Sequence, residues 1–290
     1  MGSPYQHLIA AALDKSIDVR MSAGLGTKDP ICIFGLCDSL GVSVRFVEVS
    51  MEGLYVRSRS GGAEILISSK RPLPRRIFTC AHELGHHVFG HGFSVDEMVE
   101  RAEEEPGFDP DEFLVDTFAG FLLIPTIGVR RAFADRSVSP KAASPLQLFT
   151  IACSFGVGYE TLIKHMTYSL RMYTRLELKV LLRHSPKSIR TNVLGFETND
   201  PLVVVDDYWR LPTIDMEVGS RVLFPDWATV TGDHLEAENS KVVGRLYRAH
   251  RPGISRVTRK DSDWAAFIRV SKHEFAGLSR YRHLEDEDDE

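Results

Sequence analysis

The chain has 290 residues, 43% hydrophobic and 26% charged, a composition that excludes a disordered or fibrous protein and leaves room for two domains. Its formal net charge of −5 and pI near 6.1 give no overall attraction to nucleic acid or to anionic membranes. No apolar run is expected to reach the roughly 18 residues of a membrane span, and no basic region followed by an apolar core opens the chain, so the expected location is the cytoplasm.

Residues 4–17 read as a helix with Leu8, Ile9, Ala12 and Leu13 on its apolar side, and residues 30–40 as a second helix ended by Gly41. Residues 42–47 alternate as a strand. Residues 53–57 and 63–68 then form a hairpin around Ser60-Gly61-Gly62. Cys32, Cys37, Cys80 and Cys153 lack the paired CxxC spacing of a structural zinc site and read as buried free thiols. A reducing compartment argues against a disulfide between Cys32 and Cys37.

The most informative stretch is residues 76–89, which carries His82-Glu83-Leu84-Gly85-His86, an HExxH pattern, inside a helical apolar stripe of Phe78, Ala81, Leu84, Gly85, Val88 and Phe89. Five letters with two free positions can match by chance. Here, however, the His-Glu pair and the second His sit at the inward edge of an apolar helix, where polar groups need partners. Four residues on a helix are about 40° of rotation, so the imidazoles of His82 and His86 project side by side toward one ion. Glu83, at the edge of that face, stands where a zinc hydrolase keeps its general base. A strand edge beside such a helix commonly receives an extended peptide, a role assigned here to residues 63–68, with a purely structural hairpin as the alternative.

A catalytic zinc takes three protein donors and keeps one position open. His87 lies about 100° around the helix from His86, and His91 about 180° from His82, so neither shares the ligand face. The longer HExxHxxGxxH pattern is absent, since Phe89 and Gly92 occupy the positions of its Gly and third His. The next helical segment, residues 109–125, offers Glu112 and Asp116, four apart and on one face. Asp109 reads as its N-cap, Pro110 as its first residue, and Glu112 could close a capping box instead of binding metal. The missing third donor favours Glu112 as ligand. Asp116 is then either the alternative ligand or the acceptor for a histidine ring N–H.

These residues resemble the ImmA/IrrE family of zinc metallopeptidases over about residues 8–125. The likeness rests on Arg76, Phe78, Thr79 and Ala81 to His86, then on Phe118-Ala119, Leu122-Leu123 and Pro125, with Ile124 in place of a usual Met. It departs at Val115-Asp116, where Ala-Asn is usual, and at Cys80, where an aliphatic residue is usual. The resemblance implies a zincin-like domain with its Glu ligand at Glu112. It also implies an endopeptidase whose substrate is a helix-turn-helix repressor, cleaved to release prophage, mobile-element or stress genes.

Residues 91–110 are acidic, with Glu100, Glu103, Glu104 and Glu105, and could steer a basic substrate or simply form a solvated face. A helix carrying Val129, Arg130 and Phe133 and a Ser/Pro/Ala connector at 137–145 follow. Residues 148–163 have a helix-turn-helix rhythm, with Ala152 for close packing, Gly156 at the turn and Val157 and Leu162 in the core. Little positive charge marks the start of its second helix, so packing or repressor docking is favoured over DNA binding. From about residue 191 short β-rich runs appear at 202–205, 218–224, 241–247 and 264–270. Residues 241–283 hold 11 Lys/Arg against 3 Asp/Glu, ahead of the acidic end 285–290, which reads either as a β surface with a disordered acidic tail or as a basic face that the tail screens until a partner or nucleic acid competes for it.

The expected fold is therefore α+β: a zincin-like metallopeptidase domain at 1–135, a helical helix-turn-helix-like segment at 136–185, a β-rich or α+β domain at 186–284, and a disordered acidic tail at 285–290. The expected chemistry is zinc-dependent peptide hydrolysis, Mn²⁺ being the other candidate ion, with His82, His86 and Glu112 as ligands and Glu83 as base. His87, His91 and several Tyr are candidates to stabilise the oxyanion. The rival readings are a non-catalytic regulator that sequesters a repressor or binds DNA, and a protease effector of a toxin or defence system. An intact Glu83 argues against the first.

Overall fold

A computed structural model describes residues 5–57, 62–91, 108–239, 242–260 and 262–285. The acidic stretch 92–107, most of the hairpin turn at 58–61 and the tail at 286–290, each given a role above, lie outside the described residues. Contacts divide the chain into two compact units, residues 1–128 with 276–280 and residues 129–275 with 281–290.

The first unit opens with helix α1 (Gln6–Ser22) and the short α2 (Ile33–Ser39), which stops before Gly41 at φ +73°. Strands β1 (Val42–Val47), β2 (Gly53–Arg57) and β3 (Ala63–Ser68) follow, then α3 (Leu73–Phe89) and α4 (Pro110–Leu123). β2 and β3 pair antiparallel, as the hairpin pattern predicts, while β1 runs parallel to β3 from Val42↔Ala63 to Val47↔Ser68. β3 is thus paired on both sides, which corrects the assignment of residues 63–68 as a free substrate-binding edge. The edge beside α3 is β2.

The opposite edge is closed from far along the chain. Strand β12 (Gly277–Leu278) pairs antiparallel with β1, giving the order β12-β1-β3-β2. The sequence assigns these two residues to the C-terminal domain, whereas their hydrogen bonds attach them to the first sheet.

Helix α3 starts after Pro72 with Pro74 in its first turn, where a missing N–H costs nothing, and ends at Gly90, whose φ of +75° is the left-handed cap that glycine adopts freely. Its inward face carries Thr79, Cys80, Ala81, Leu84 and Gly85. α3 packs on α4, and Leu84 on the one and Val115, Phe118 and Leu122 on the other are fully buried; each such side chain contributes about 1.5–3 kcal/mol of burial. Cys37 and Cys80 are buried with their sulfurs 3.6 Å apart, and all four cysteines are free. On the other side of α4, the buried Arg20 of α1 donates to Leu122 O from Nε (2.9 Å) and Nη2 (2.6 Å), capping the end of that helix.

Residues 110–135 contain an apolar window long enough by composition to cross a membrane, which corrects the expectation that no such run exists. That window is 72% buried inside the protein, and its helix is divided at Ile124-Pro125 into α4 and α5 (Thr126–Asp135). Its apolarity is that of a helix packed on several sides.

In the second unit, α6 (Pro145–Ser154) and α7 (Tyr159–Tyr168) meet at 95° across a short turn with Gly156 at φ +68°. Ala152, Val157 and Leu162 are buried at this corner. Helices α8 (Arg175–Leu181) and α9 (Pro186–Leu194) continue the helical part, each opened by a side-chain cap from Thr174 or Ser185. Strands β4 (Leu202–Val204), β6 (Arg221–Phe224), β8 (Leu235–Glu238) and β9 (Arg245–Ala249) form one sheet in the order β4-β6-β9-β8. A second, β5-β11-β10-β7, comprises β5 (Thr213–Glu217), β7 (Ala228–Thr231), β10 (Gly253–Arg259) and β11 (Ala265–Ser271). Inward residues of both sheets, among them Val222, Phe224, Val257, Ile268 and Val270, share one core.

Five of the eleven Lys/Arg at 241–283 are paired within the second unit, with aspartates from earlier strands and loops: Asp200 pairs with Arg248, Asp233 with Arg251, Asp207 with Arg259, and Asp215 with Arg269 and Arg282.

Candidate metal centre

Helices α3 and α4 bring His82, His86 and Glu112 together. His82 Nε2 and His86 Nε2 are 3.2 Å apart, and the Glu112 carboxylate approaches them at 3.3 Å and 3.4 Å through separate oxygens. One donor atom from each lies within 4.8 Å of the others, a set that could hold a metal ion. The capping expectation for α4 is met by Asp109, whose Oδ1 accepts from the N–H groups of Asp111 and Glu112. The Glu112 side chain turns instead to the histidines.

Asp116 sits one turn along α4, where it accepts from His82 Nδ1–H at 2.8 Å. It therefore contacts the far side of the ring and leaves Nε2 facing His86 and Glu112, which fits the ring-orienting role rather than that of a third donor. Burial disfavours charging His82, but its bonds to Asp116 and Glu112 outweigh that and push the ring up to about 10. The same bonds from His82 and His86 hold Glu112 far below the ordinary carboxylate range.

Glu83 lies outside this donor set. Its Oε2 accepts the backbone N–H of Tyr55 in β2 at 2.9 Å, a contact the sequence reading missed. Burial raises the Glu83 carboxyl, while His82, His86 and the Tyr55 N–H oppose that rise. A glycine inside a strand often marks a close backbone approach, and Gly53 in Gly53-Leu54-Tyr55-Val56-Arg57 was the available signal. Of the oxyanion candidates, His87 points off the ligand face and shares a 2.8 Å hydrogen bond with the Tyr55 hydroxyl. His91 packs 5.5 Å from the His86 ring and 3.7 Å from Asp111.

Two histidines one helical turn apart are faced by a glutamate from α4 and flanked by a second glutamate held outside the set, an arrangement of the kind metallopeptidases use. Residues 37–167 match the family described as the IrrE N-terminal-like domain, Peptidase M78. Residues 37–167 thus carry a domain of the ImmA/IrrE type. No curated protein matches. Among solved structures, a Mycobacterium tuberculosis transcriptional regulator is similar at 18% identity and a TM-score of 0.35, over 56% of this chain and 47% of that one. The chain thus spans about half the length of that regulator, and the likeness is too slight to bear on fold or function.

Proposed function

We propose that this protein is a zinc-dependent endopeptidase of the zincin type that acts in the cytoplasm on a helix-turn-helix repressor. The observation that carries this reading is the convergence of His82, His86 and Glu112 within 4.8 Å while Glu83 is anchored separately beside them. Two imidazole nitrogens and a carboxylate suit Zn²⁺ and leave a coordination position open, and Mn²⁺ accepts similar donors. When bound, such an ion supplies Lewis acidity toward a carbonyl and a water.

The chain's own residues handle the proton. With Oε2 held by the Tyr55 N–H, Glu83 has Oε1 to take a proton from the attacking water as the new C–O bond forms. It returns that proton to the nitrogen that leaves when the peptide C–N bond breaks. Burial, which raises the Glu83 carboxyl, strengthens it as a base. Asp116 keeps His82 in the tautomer that presents Nε2. The β2 edge beside α3 can accept an extended substrate as a further strand.

A repressor as substrate is supported by the family resemblance. We read α6 and α7 as a helix-turn-helix-like unit that packs or docks substrate. The exposed positions of α7 are Glu160, Lys164 and Tyr168, with Lys164 paired to Glu160 at 3.2 Å, which leaves little charge for a phosphate backbone. The test is incubation of the purified protein and Zn²⁺ or Mn²⁺ with the helix-turn-helix repressor encoded nearest to it, beside Glu83→Gln. Cleavage by the wild type, lost in the variant, is expected. Tight binding by both proteins without cleavage would establish a sequestering regulator instead.

A further inference from the structure

We propose that Gly53 is a positioning residue for Glu83: the absence of a side chain at position 53 lets β2 lie close enough to α3 for the Tyr55 N–H to hold the carboxylate. The proposal rests on the peptidase reading, and its test includes a measurement that does not depend on activity.

A Cβ built at Gly53 would stand 2.4 Å from Thr79 Cγ2, 3.0 Å from Glu83 Oε1 and 3.2 Å from Glu83 Cγ. Thr79 and Glu83 are one turn apart on α3, so a methyl group here would press on the base and on the residue beneath it. Thr79 has little room to yield. It is 7% exposed, and a β-branched side chain on a helix is restricted at χ1. Nor is glycine required by the backbone, since Gly53 is absent from the positive-φ glycines. Glycine in a strand interior costs about 0.5–1 kcal/mol relative to alanine, so its presence here is explained by space rather than by strand stability.

Tyr55 is two residues further along the same strand, and alternation puts its N–H on the same edge as that of Gly53. Its amide reaches Glu83 Oε2 at 2.9 Å. An alanine at 53 must move β2 outward or turn the Glu83 side chain, and either change breaks that bond. The carboxylate would then rotate freely, and its aim at the attacking water would be lost. His82 and His86 face Glu112 of α4 and would be left in place.

The experiment compares the full-length wild type, Gly53→Ala, and Gly53→Ala combined with Thr79→Ser, which removes the nearest clashing atom. Hydrogen exchange of the Tyr55 amide, followed by NMR, is expected to quicken at least about tenfold in Gly53→Ala and to slow again in the double variant, with amides of β1 and β3 unchanged. With Zn²⁺ bound at unaltered stoichiometry, kcat on the repressor should fall about 100-fold while KM stays within about threefold, the scale of an ångström-size misplacement. A Gly53→Ala protein that keeps both the slow Tyr55 amide and the wild-type rate overturns the positioning role, and so does a double variant that recovers neither. If the wild type cleaves nothing, the peptidase reading fails, while the Tyr55 amide still decides whether Gly53 holds the strand against Glu83.

Discussion

Asp116 holds His82 from behind, accepting its Nδ1–H at 2.8 Å, and so fixes which nitrogen faces His86 and Glu112. Outer partners of this kind are worth about 10–100-fold in metal affinity. Asp116→Ala is expected to weaken Zn²⁺ binding by that factor in competition with a chromophoric chelator. Asp116→Asn, which keeps an acceptor oxygen, should lose less. Equal affinities in all three proteins would mean that Asp116 does not orient the ring.

Gly85, inside the HExxH pattern, marks where α3 and α4 touch. A Cβ there would meet Val115 Cβ at 2.9 Å and Phe118 Cδ1 at 3.2 Å. Replacing a mid-helix glycine by alanine gains about 1 kcal/mol of helix propensity, whereas overpacking a core costs about 1–3 kcal/mol. The steric term should win, because Val115 and Phe118 are both fully buried. Gly85→Ala is expected to lower stability in urea and, by spreading the two donor-bearing helices, to weaken metal binding. A more stable variant with unchanged affinity would refute this account of the contact.

Arg20 ties the loop after α1 to the end of α4. Besides Leu122 O, its guanidinium donates from Nη1 to Gly26 O at 2.7 Å and to Asp29 O at 2.9 Å. Burial lowers its pKa to about 10, against the pull of Asp29. Arg20→Met preserves much of the volume but leaves three carbonyls without this donor. A loss of about 3 kcal/mol is expected, on the scale of hydrogen bonds to a charged group in a buried setting. Arg20→Lys should rescue only part of it, since an ammonium cannot reproduce the planar fork. Chemical denaturation of the three proteins measures both effects.

Acid should destabilise the second unit early. Asp215 is a largely buried carboxylate bonded to Arg269 at 2.5 Å and 2.6 Å, with Arg282 and His283 each 3.5 Å away. Burial tends to raise the Asp215 carboxyl, but Arg282 and Arg269 hold it below its ordinary value. His283 is pushed down to about 3, by burial first and then by Arg282. Both folded-state values lie below the unfolded ones, so this stability is complete above pH 6.5 and is lost as pH falls. Protonation of His283 in the unfolded chain acts first, between pH 6.5 and about 3, and that of Asp215 adds below 3.8. His283→Phe should flatten the fall in melting temperature between pH 6.5 and 4. An unchanged slope would show that other groups set it.

Local patterns were readable in the sequence, whereas pairings between distant segments were not. The spacing of His82 and His86 follows from helical geometry over a single turn, and Glu112 and Asp116 share a face for the same reason. The β2–β3 hairpin was legible, but the identity of its free edge was not, because that depends on β1 inserting parallel to β3 on the far side. The bond from Tyr55 to Glu83 spans 28 positions, and strand alternation does not specify what approaches an edge. Charge counting likewise could not see long-range partners. Several of the cations after residue 241 pair with aspartates such as Asp200 and Asp215, which lie earlier in the chain and beyond any local window.

The pairing of Gly277 and Leu278 with β1 also orders events during synthesis. β1 leaves the ribosome well before β12, so its outer hydrogen-bonding edge must wait for some 230 further residues before its partner strand exists. Contacts of such long sequence separation form slowly because a large loop must close first. The sheet beside α3 is therefore completed only after the strands of the second unit have been made, and a nascent chain stalled between β1 and residue 277 carries an open β1 edge.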